Sequence, residues 1–381
     1  MLVGTAPGTL AEVYAWFPIW IVRGFVVFFG LIWGSFLNVV IYRVPREMSV
    51  VRPASHCPGC GKPIAGYDNV PVFSYLLLRG RARCCGARMS PRYPIVELIG
   101  GALSLAIFEA VIMKMPQEST PALRALAVYT ADFALCMGLV AAAFIDIEHM
   151  FLPDRITLGG IVLGIATATL RGLPIEASVF GAVVGFLGCW LPFTFLYKGL
   201  LGRTGMGIGD AKLLALAGAW FGWQGVVFVL FAGAIHGTIY AAVLWILGIE
   251  NKLPASVLED IEELKKAAAE GDLEALAALA EDPLTENEDD PFILRWITSA
   301  LRWLGVLSKK DPNEDAEEED HDAHVLLWED LQDAMKATRP RIPFGPFLIL
   351  ACLELLFAAD WIAARLSLGG PLGGFSIFGA F

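Results

Sequence analysis

The chain has 381 residues, 56% of them hydrophobic, with 11 Trp and a mean hydropathy of +0.61. That is the composition of a membrane protein and excludes an ordinary soluble enzyme. The formal charge of −11 is unevenly spread: residues 250–340 hold 25 acidic and 9 basic side chains, and the rest of the chain 14 and 19. An acidic insert therefore interrupts a mildly basic membrane body, for which no nucleic-acid partner is expected.

Eight apolar segments approach the ~20 residues that a bilayer-spanning helix needs. In chain order they are Phe17–Ile41, Ile95–Met113, Ala125–Ile145, Ile156–Leu170, Ala177–Leu196, Lys212–Trp223, Val226–Leu247 and Gly345–Leu366. The fourth and sixth are short. The first carries Arg23 and is followed by strong positive charge, which suits an uncleaved span better than a signal peptide.

Loop charge orients the set. Arg43–Arg92 contains nine basic residues and two acidic ones, so the positive-inside rule places that loop in the cytoplasm and the N-terminus outside. Counting crossings onward puts the loops at Asp146–Arg155 and Lys198–Lys212 inside, with Pro116–Arg124 and Arg171–Glu176 outside.

The first cytoplasmic loop carries Cys57-Pro58-Gly59-Cys60 and, after 23 intervening residues, Cys84-Cys85. The cytoplasm is reducing, so paired thiols there favour a metal over a disulfide. Tetrahedral zinc takes four soft ligands, usually in two pairs. Cys57 and Cys60 have the usual knuckle spacing. Adjacent cysteines chelate less well, and Cys85 is expected to be a firmer ligand than Cys84. The alternative is a packed loop with free thiols. Cys136, Cys189 and Cys352 stand alone in apolar spans and read as membrane core.

Two carboxylate motifs fall at the cytoplasmic ends of spans. Phe144-Ile145-Asp146-Ile147-Glu148-His149-Met150-Phe151-Leu152-Pro153-Asp154 closes the third, and Gly205-Met206-Gly207-Ile208-Gly209-Asp210-Ala211-Lys212 opens the sixth. Ionisable residues at such positions are costly and usually functional. Two carboxylates in a partly dry site share a proton, so that one activates water while the other donates to the scissile carbonyl. Asp146 and Asp210 are the expected catalytic pair of a membrane aspartyl protease. The glycines before Asp210 allow close backbone approach. Asp154 competes with Asp146 but, after Pro153, reads as the cap of the next helix. Glu148 and His149 read as interfacial, and a membrane transporter using the two aspartates as a proton relay is the rival class.

Within the insert, Val257–Ala280 predicts two short helices broken at Gly271-Asp272. Pro291–Lys310 reads as an amphipathic surface helix, and Asp311–Asp322 as a disordered acidic run.

These motifs resemble the type IV prepilin peptidase family. The resemblance runs from Gly34-Ser35-Phe36-Leu37-Asn38 and Tyr42-Arg43-Val44-Pro45 through the Cys57–Cys60 knuckle, Asn69-Val70-Pro71 and Ser90-Pro91-Arg92-Tyr93-Pro94. It continues through both aspartate motifs to Ile342-Pro343-Phe344-Gly345-Pro346-Phe347. It implies a bifunctional enzyme of the bacterial inner membrane, serving type IV pili and type II secretion. Such an enzyme cleaves the basic leader of prepilins and pseudopilins and methylates the new amine from S-adenosylmethionine. By motif position the family's catalytic aspartates fall on Asp146 and Asp210, and its methylase-associated cysteine loop on residues 43–92. In similar proteins the second pair is Cys-x-x-Cys, which would place a ligand at Ala82. A peptidase lacking methylation is therefore an alternative. Glu97 is expected to pair with Arg92, or else to meet the leader or the new amine.

The expected architecture is an all-α polytopic membrane protein of about eight spans. It divides into an N-terminal span (1–42), a cysteine loop (43–94), a peptidase core (95–249), the acidic insert (250–340) and a C-terminal span (341–381). Structural zinc, prepilin substrates and membrane lipid are the expected partners.

Overall fold

The computed structural model describes residues 8–57, 59–196, 206–249, 253–269 and 342–366. Among them every regular element is helical, and pairing between extended segments is limited to isolated bridges. The long helices are α2 (Ile19–Arg43), α4 (Arg92–Ile107), α5 (Ala122–His149), α7 (Ile175–Cys189), α8 (Ile208–Leu247) and α10 (Gly345–Leu366). Shorter ones are α1 (Leu10–Trp16), α3 (Phe73–Leu77), α6 (Asp154–Thr167) and α9 (Ala255–Ala269). Single π-helical turns extend α4 to Ile112 and α7 to Leu196.

Five of these helices are long and apolar enough to cross a bilayer, where the sequence reading gives eight. The difference has three sources. Helix α6 forms but has 14 residues. The described apolar part of α10 is short, Gly345–Ala358. The sixth and seventh expected spans belong to one 40-residue element, α8, interrupted where Gly222 leaves helical geometry at φ 69°, ψ −176°. Outward faces confirm the membrane character: Trp20, Phe25, Phe28 and Trp245 are among many large apolar side chains left exposed, a surface that water would not tolerate but lipid does.

Helix packing follows the distribution of glycine. A Cβ on Gly30 of α2 or Gly100 of α4 would meet the other's carbonyl oxygen, and Gly34 lies against the backbone of Val96 and Glu97. Gly181 of α7 and Gly218 of α8 stand in the same relation. Small residues let helix backbones touch where apolar area gives no driving force in lipid. Two cores result. One gathers residues of α2, α4 and one side of α5, such as Ile41, Val96 and Ile145; the other joins α7, α8 and α10 to Leu135, Leu139 and Ala142 of α5. Helix α5 thus sits between the halves, with 72% of its span buried against 33% for α2.

The two ends of the bundle are tied differently. At one end Leu10 N–H donates to Thr120 O (3.2 Å) and Arg124 Nε to Leu170 O (3.2 Å). At the other, Arg92 at the start of α4 pairs with Glu148 at the end of α5, and Ser256 of α9 donates to the Glu148 carbonyl. The beginning of the acidic insert is therefore docked on the end of α5. The second half of the expected Val257–Ala280 pair, Pro291–Lys310 and Asp311–Asp322 lie outside the described residues.

Candidate active site and cysteine cluster

Asp146 occupies the last turn of α5 and is 6% exposed. Met150 ends the helix in the left-handed conformation, its N–H returning to Asp146 O (2.9 Å), which turns Phe151-Leu152-Pro153 back toward α6. Gly345, at the start of α10, lies against the Asp146 carboxylate. A Cβ on Gly345 would collide with Asp146 Oδ2, so only glycine admits this contact. A helix N-terminus thus faces the carboxylate, an arrangement that favours negative charge.

Asp210 is the third residue of α8, after Gly207 at the N-cap position, where a Cβ would sit 3.6 Å from Asp210 Oδ2. Gly209 lies against Leu152, where a Cβ would sit 3.3 Å from the leucine side chain. The Leu152 turn therefore packs under Asp210's own loop and brings the two motifs together. Asp146 and Asp210 line one cavity of about 910 Å3 with Met150, Phe193, Met206 and Phe344, and they interact electrostatically. Gly205 and the residues just before it lie outside the described set.

Asp154 is not a helix cap. Pro153 holds the cap position without a side-chain bond, and Asp154 is the first residue of α6. Its carboxylate reaches across the cavity rim to Lys212 Nζ at 2.6 Å, since an ammonium satisfies it better than a solvent-accessible backbone N–H. Glu97 does not pair with Arg92 either. It accepts from Val72 N–H at 2.7 Å and pins the loop to α4, while Arg92 is taken by Glu148.

Several residues that hold the loop escaped the sequence reading. Arg43 is buried and donates to Ser49 O (2.9 Å) and Pro53 O (2.8 Å). Asn38 donates to Tyr93 O at 3.1 Å. Both lie in the Asn38–Pro45 stretch that carries part of the resemblance, where a buried polar residue in an apolar helix was the available signal.

The cysteines converge. The four Sγ atoms of Cys57, Cys60, Cys84 and Cys85 lie within 4.8 Å of one another, with Cys60–Cys84 at 3.3 Å, Cys57–Cys85 at 3.6 Å and Cys84–Cys85 at 3.9 Å. Zinc–sulfur bonds of about 2.3 Å at tetrahedral angles separate sulfurs by ~3.8 Å, so this set has the size of a zinc site. Two knuckle turns create it. Gly61 N–H returns to Cys57 O (2.8 Å) and Gly86 N–H to Ala82 O (2.8 Å), both glycines at positive φ. Ala82 thus shapes the second knuckle rather than supplying a ligand, and Cys84 is as well placed as Cys85. A hydrogen bond from Gly59 N–H is the main cause lowering the Cys57 thiol to about 7, whereas its contact with Cys60 is the main cause raising Cys84 to about 12. Thiols packed this closely deprotonate together only around a cation.

Family comparisons agree with this layout. Residues 28–111 match the Bacterial Peptidase A24 N-terminal domain and residues 133–242 the Type IV leader peptidase family. The chain is also 34% identical over 340 residues to the prepilin leader peptidase/N-methyltransferase of Myxococcus xanthus (strain DK1622), covering 89% of this chain and 91% of the relative. The chain belongs to the type IV leader peptidase family. Proteins of the same description from Dichelobacter nodosus and Neisseria gonorrhoeae are 40% and 35% identical, over 57% and 56% of this chain and 81% and 79% of their own. The Myxococcus match is long enough that it extends across part of residues 250–340. No solved structure matches the chain.

Proposed function

We propose that this family member is a bifunctional enzyme of the bacterial inner membrane that cleaves the basic leader of type IV prepilins and pseudopilins and methylates the exposed amine from S-adenosylmethionine. Asp146 and Asp210 are its catalytic pair. The observation that carries the assignment is their meeting: carboxylates 64 positions apart in sequence line one cavity, one against Gly345 and the other beside Gly207.

One shared proton gives the pair both roles. The ionised carboxylate takes a proton from water as its oxygen attacks the scissile carbonyl carbon, and the protonated partner donates to the carbonyl oxygen. Collapse of the tetrahedral species breaks the C–N bond, and the leaving nitrogen takes a proton to become a free amine. Gly345 and Gly207 hold the two carboxylates in place. S-adenosylmethionine, when bound, would supply the methyl group: the amine nitrogen would form the new C–N bond as the C–S bond breaks, leaving a neutral thioether and releasing a proton.

A prepilin presents an apolar helix in the bilayer and a basic leader in the cytoplasm, which would bring the bond to this boundary. Positive-inside charge supports the cytoplasmic placement. In this reading residues 43–94 are the methylase-associated loop and 95–249 the peptidase core, flanked by an N-terminal span (1–42), the acidic insert (250–340) and a C-terminal span and tail (341–381). Cys57, Cys60, Cys84 and Cys85 would hold a structural zinc ion, which would fix the fold of the loop.

The test is cleavage of purified prepilin with labelled S-adenosylmethionine. Asp146→Asn and Asp210→Asn are each expected to lower cleavage by about 10²–10⁴-fold, the usual contribution of general acid–base catalysis. Asp154→Asn stays within roughly tenfold, because its carboxylate belongs to the rim pair with Lys212. Undiminished cleavage by Asp210→Asn would favour the transporter class, and cleavage without label transfer would remove the methylase half.

A further inference from the structure

A second cavity, of about 410 Å3, opens at the other end of the helices, between the α4–α5 connection, the end of α6 and α10. Its floor is Asp132, on α5 and 14 residues before Asp146, or about 21 Å along a helix. Asp132 is 2% exposed, and its Oδ1 has no hydrogen-bond partner. Lys114, Arg124 and Arg171 line the same cavity, and Val128, Leu355 and Phe357 form an apolar wall.

Arg171 does not close the Asp132 site. Its guanidinium donates to Trp220 O (2.8 Å), Gly164 O (2.6 Å) and Thr167 Oγ1 (3.3 Å) and lies 4.1 Å from the Trp220 ring centre. Its charge therefore reaches Asp132 through space, while each guanidinium nitrogen already donates to Trp220 O, Gly164 O or Thr167 Oγ1. Arg124 uses Nε on Leu170 O. A buried carboxylate with an unmade hydrogen bond is costly and calls for a donor. The cavity offers that donor an apolar approach and a cationic mouth.

We propose that this cavity binds the headgroup of an aminophospholipid from the leaflet opposite the two catalytic-site aspartates. The primary ammonium donates to Asp132, the phosphate lies at the mouth on the Arg124 side, and the first acyl carbons follow the apolar wall. The size is that of ordinary ligand pockets, roughly 300–1,000 Å3. A quaternary choline has no N–H to give Asp132, and a glycerol headgroup has no positive charge, so the site discriminates among phospholipids. The inference rests on the membrane reading of the spans and is independent of the peptidase assignment.

The test uses the full-length protein in dodecyl maltoside, titrated with dihexanoyl phosphatidylethanolamine, phosphatidylcholine or phosphatidylglycerol, with Tm as the readout. Half-saturation by the ethanolamine lipid is expected at a concentration at least tenfold lower than for the other two. Asp132→Asn is expected to abolish that difference. Equal half-saturation by all three lipids, or an unchanged preference in Asp132→Asn, would overturn the proposal. So would O-phosphoethanolamine saturating as readily as the lipid, which would reveal a site for a soluble ion. Leu356→Trp narrows the cavity from the α10 side and serves if Asp132→Asn does not fold: the preference falls at least tenfold, or the proposal is wrong. Leader cleavage read on the same samples reports on Asp146 and Asp210 alone, so the two assignments fail separately.

Discussion

Glu97 shows how one side chain can connect a water-facing loop to a membrane helix. It is 8% exposed in the first turns of α4, and its Oε2 receives the N–H of Val72 at a backbone position of positive φ. Hydrogen bonds to a charged group are worth about 1.5–3 kcal/mol, so Glu97→Ala is expected to release the loop rather than unfold the bundle. Limited proteolysis should then cut within residues 43–94 several times faster than in the parent, with leader cleavage retained. The sequence reading paired Glu97 with Arg92, made Asp154 a helix cap and left Glu148 at the interface, whereas the structure joins Glu97 to Val72, Asp154 to Lys212 and Glu148 to Arg92. Pairing among charges at a helix end depends on how neighbouring helices are rotated, which a one-dimensional pattern does not encode. Asp146 and Asp210 could be singled out in the sequence because each stands in a local motif at a helix end, whereas the contacts of Asp146 with Gly345 and of Leu152 with Gly209 join distant segments and could not be read there.

At the scale of elements, apolar runs located the long helices but gave eight spans where five helices are long and apolar enough. The division of α8 was visible as two apolar segments, and its cause is Gly222, whose φ 69°, ψ −176° lies in a region essentially restricted to glycine. Gly222→Ala is expected to lower stability by about 1–3 kcal/mol, read as a fall in Tm, with the loss arising at the break rather than in either helical half. The cysteine loop was half legible. Knuckle spacing announced Cys57 and Cys60, whereas the adjacent pair looked like a poor chelator until Gly86 at positive φ and the Gly86–Ala82 hydrogen bond turned both thiols toward the first pair. Cys84→Ser and Cys85→Ser are accordingly expected to lose bound zinc to a similar extent, measured by metal analysis of the purified protein. Retention of full zinc content by Cys84→Ser would restore the preference for Cys85.

Across the whole molecule, helical membrane architecture followed from composition, while the arrangement of helices did not. Which glycines meet is decided by pairs such as Gly30 with Gly100 and Gly181 with Gly218, and a sequence of 39 glycines offers many other pairings. The insert was recognisable by charge alone, because acidic residues crowd one interval. Its anchoring through Ser256 to the Glu148 carbonyl could not be foreseen, since a lone serine near a proline carries no signature.

The two glycine contacts have a consequence for how the chain is made. The Gly30–Gly100 contact is complete within the first 107 residues, and the Gly181–Gly218 contact lies wholly after Gly172. As synthesis proceeds from the N-terminus, the first helix pair can close before the second has left the ribosome. Meanwhile the side of α5 bearing Leu135, Leu139 and Ala142 awaits its partners. The polypeptide link at Gly172 is then a tether between two prefabricated halves. Co-expression of residues 1–172 with residues 173–381 is expected to yield a complex that copurifies and cleaves prepilin, while each fragment alone, holding one aspartate of the pair, stays inactive.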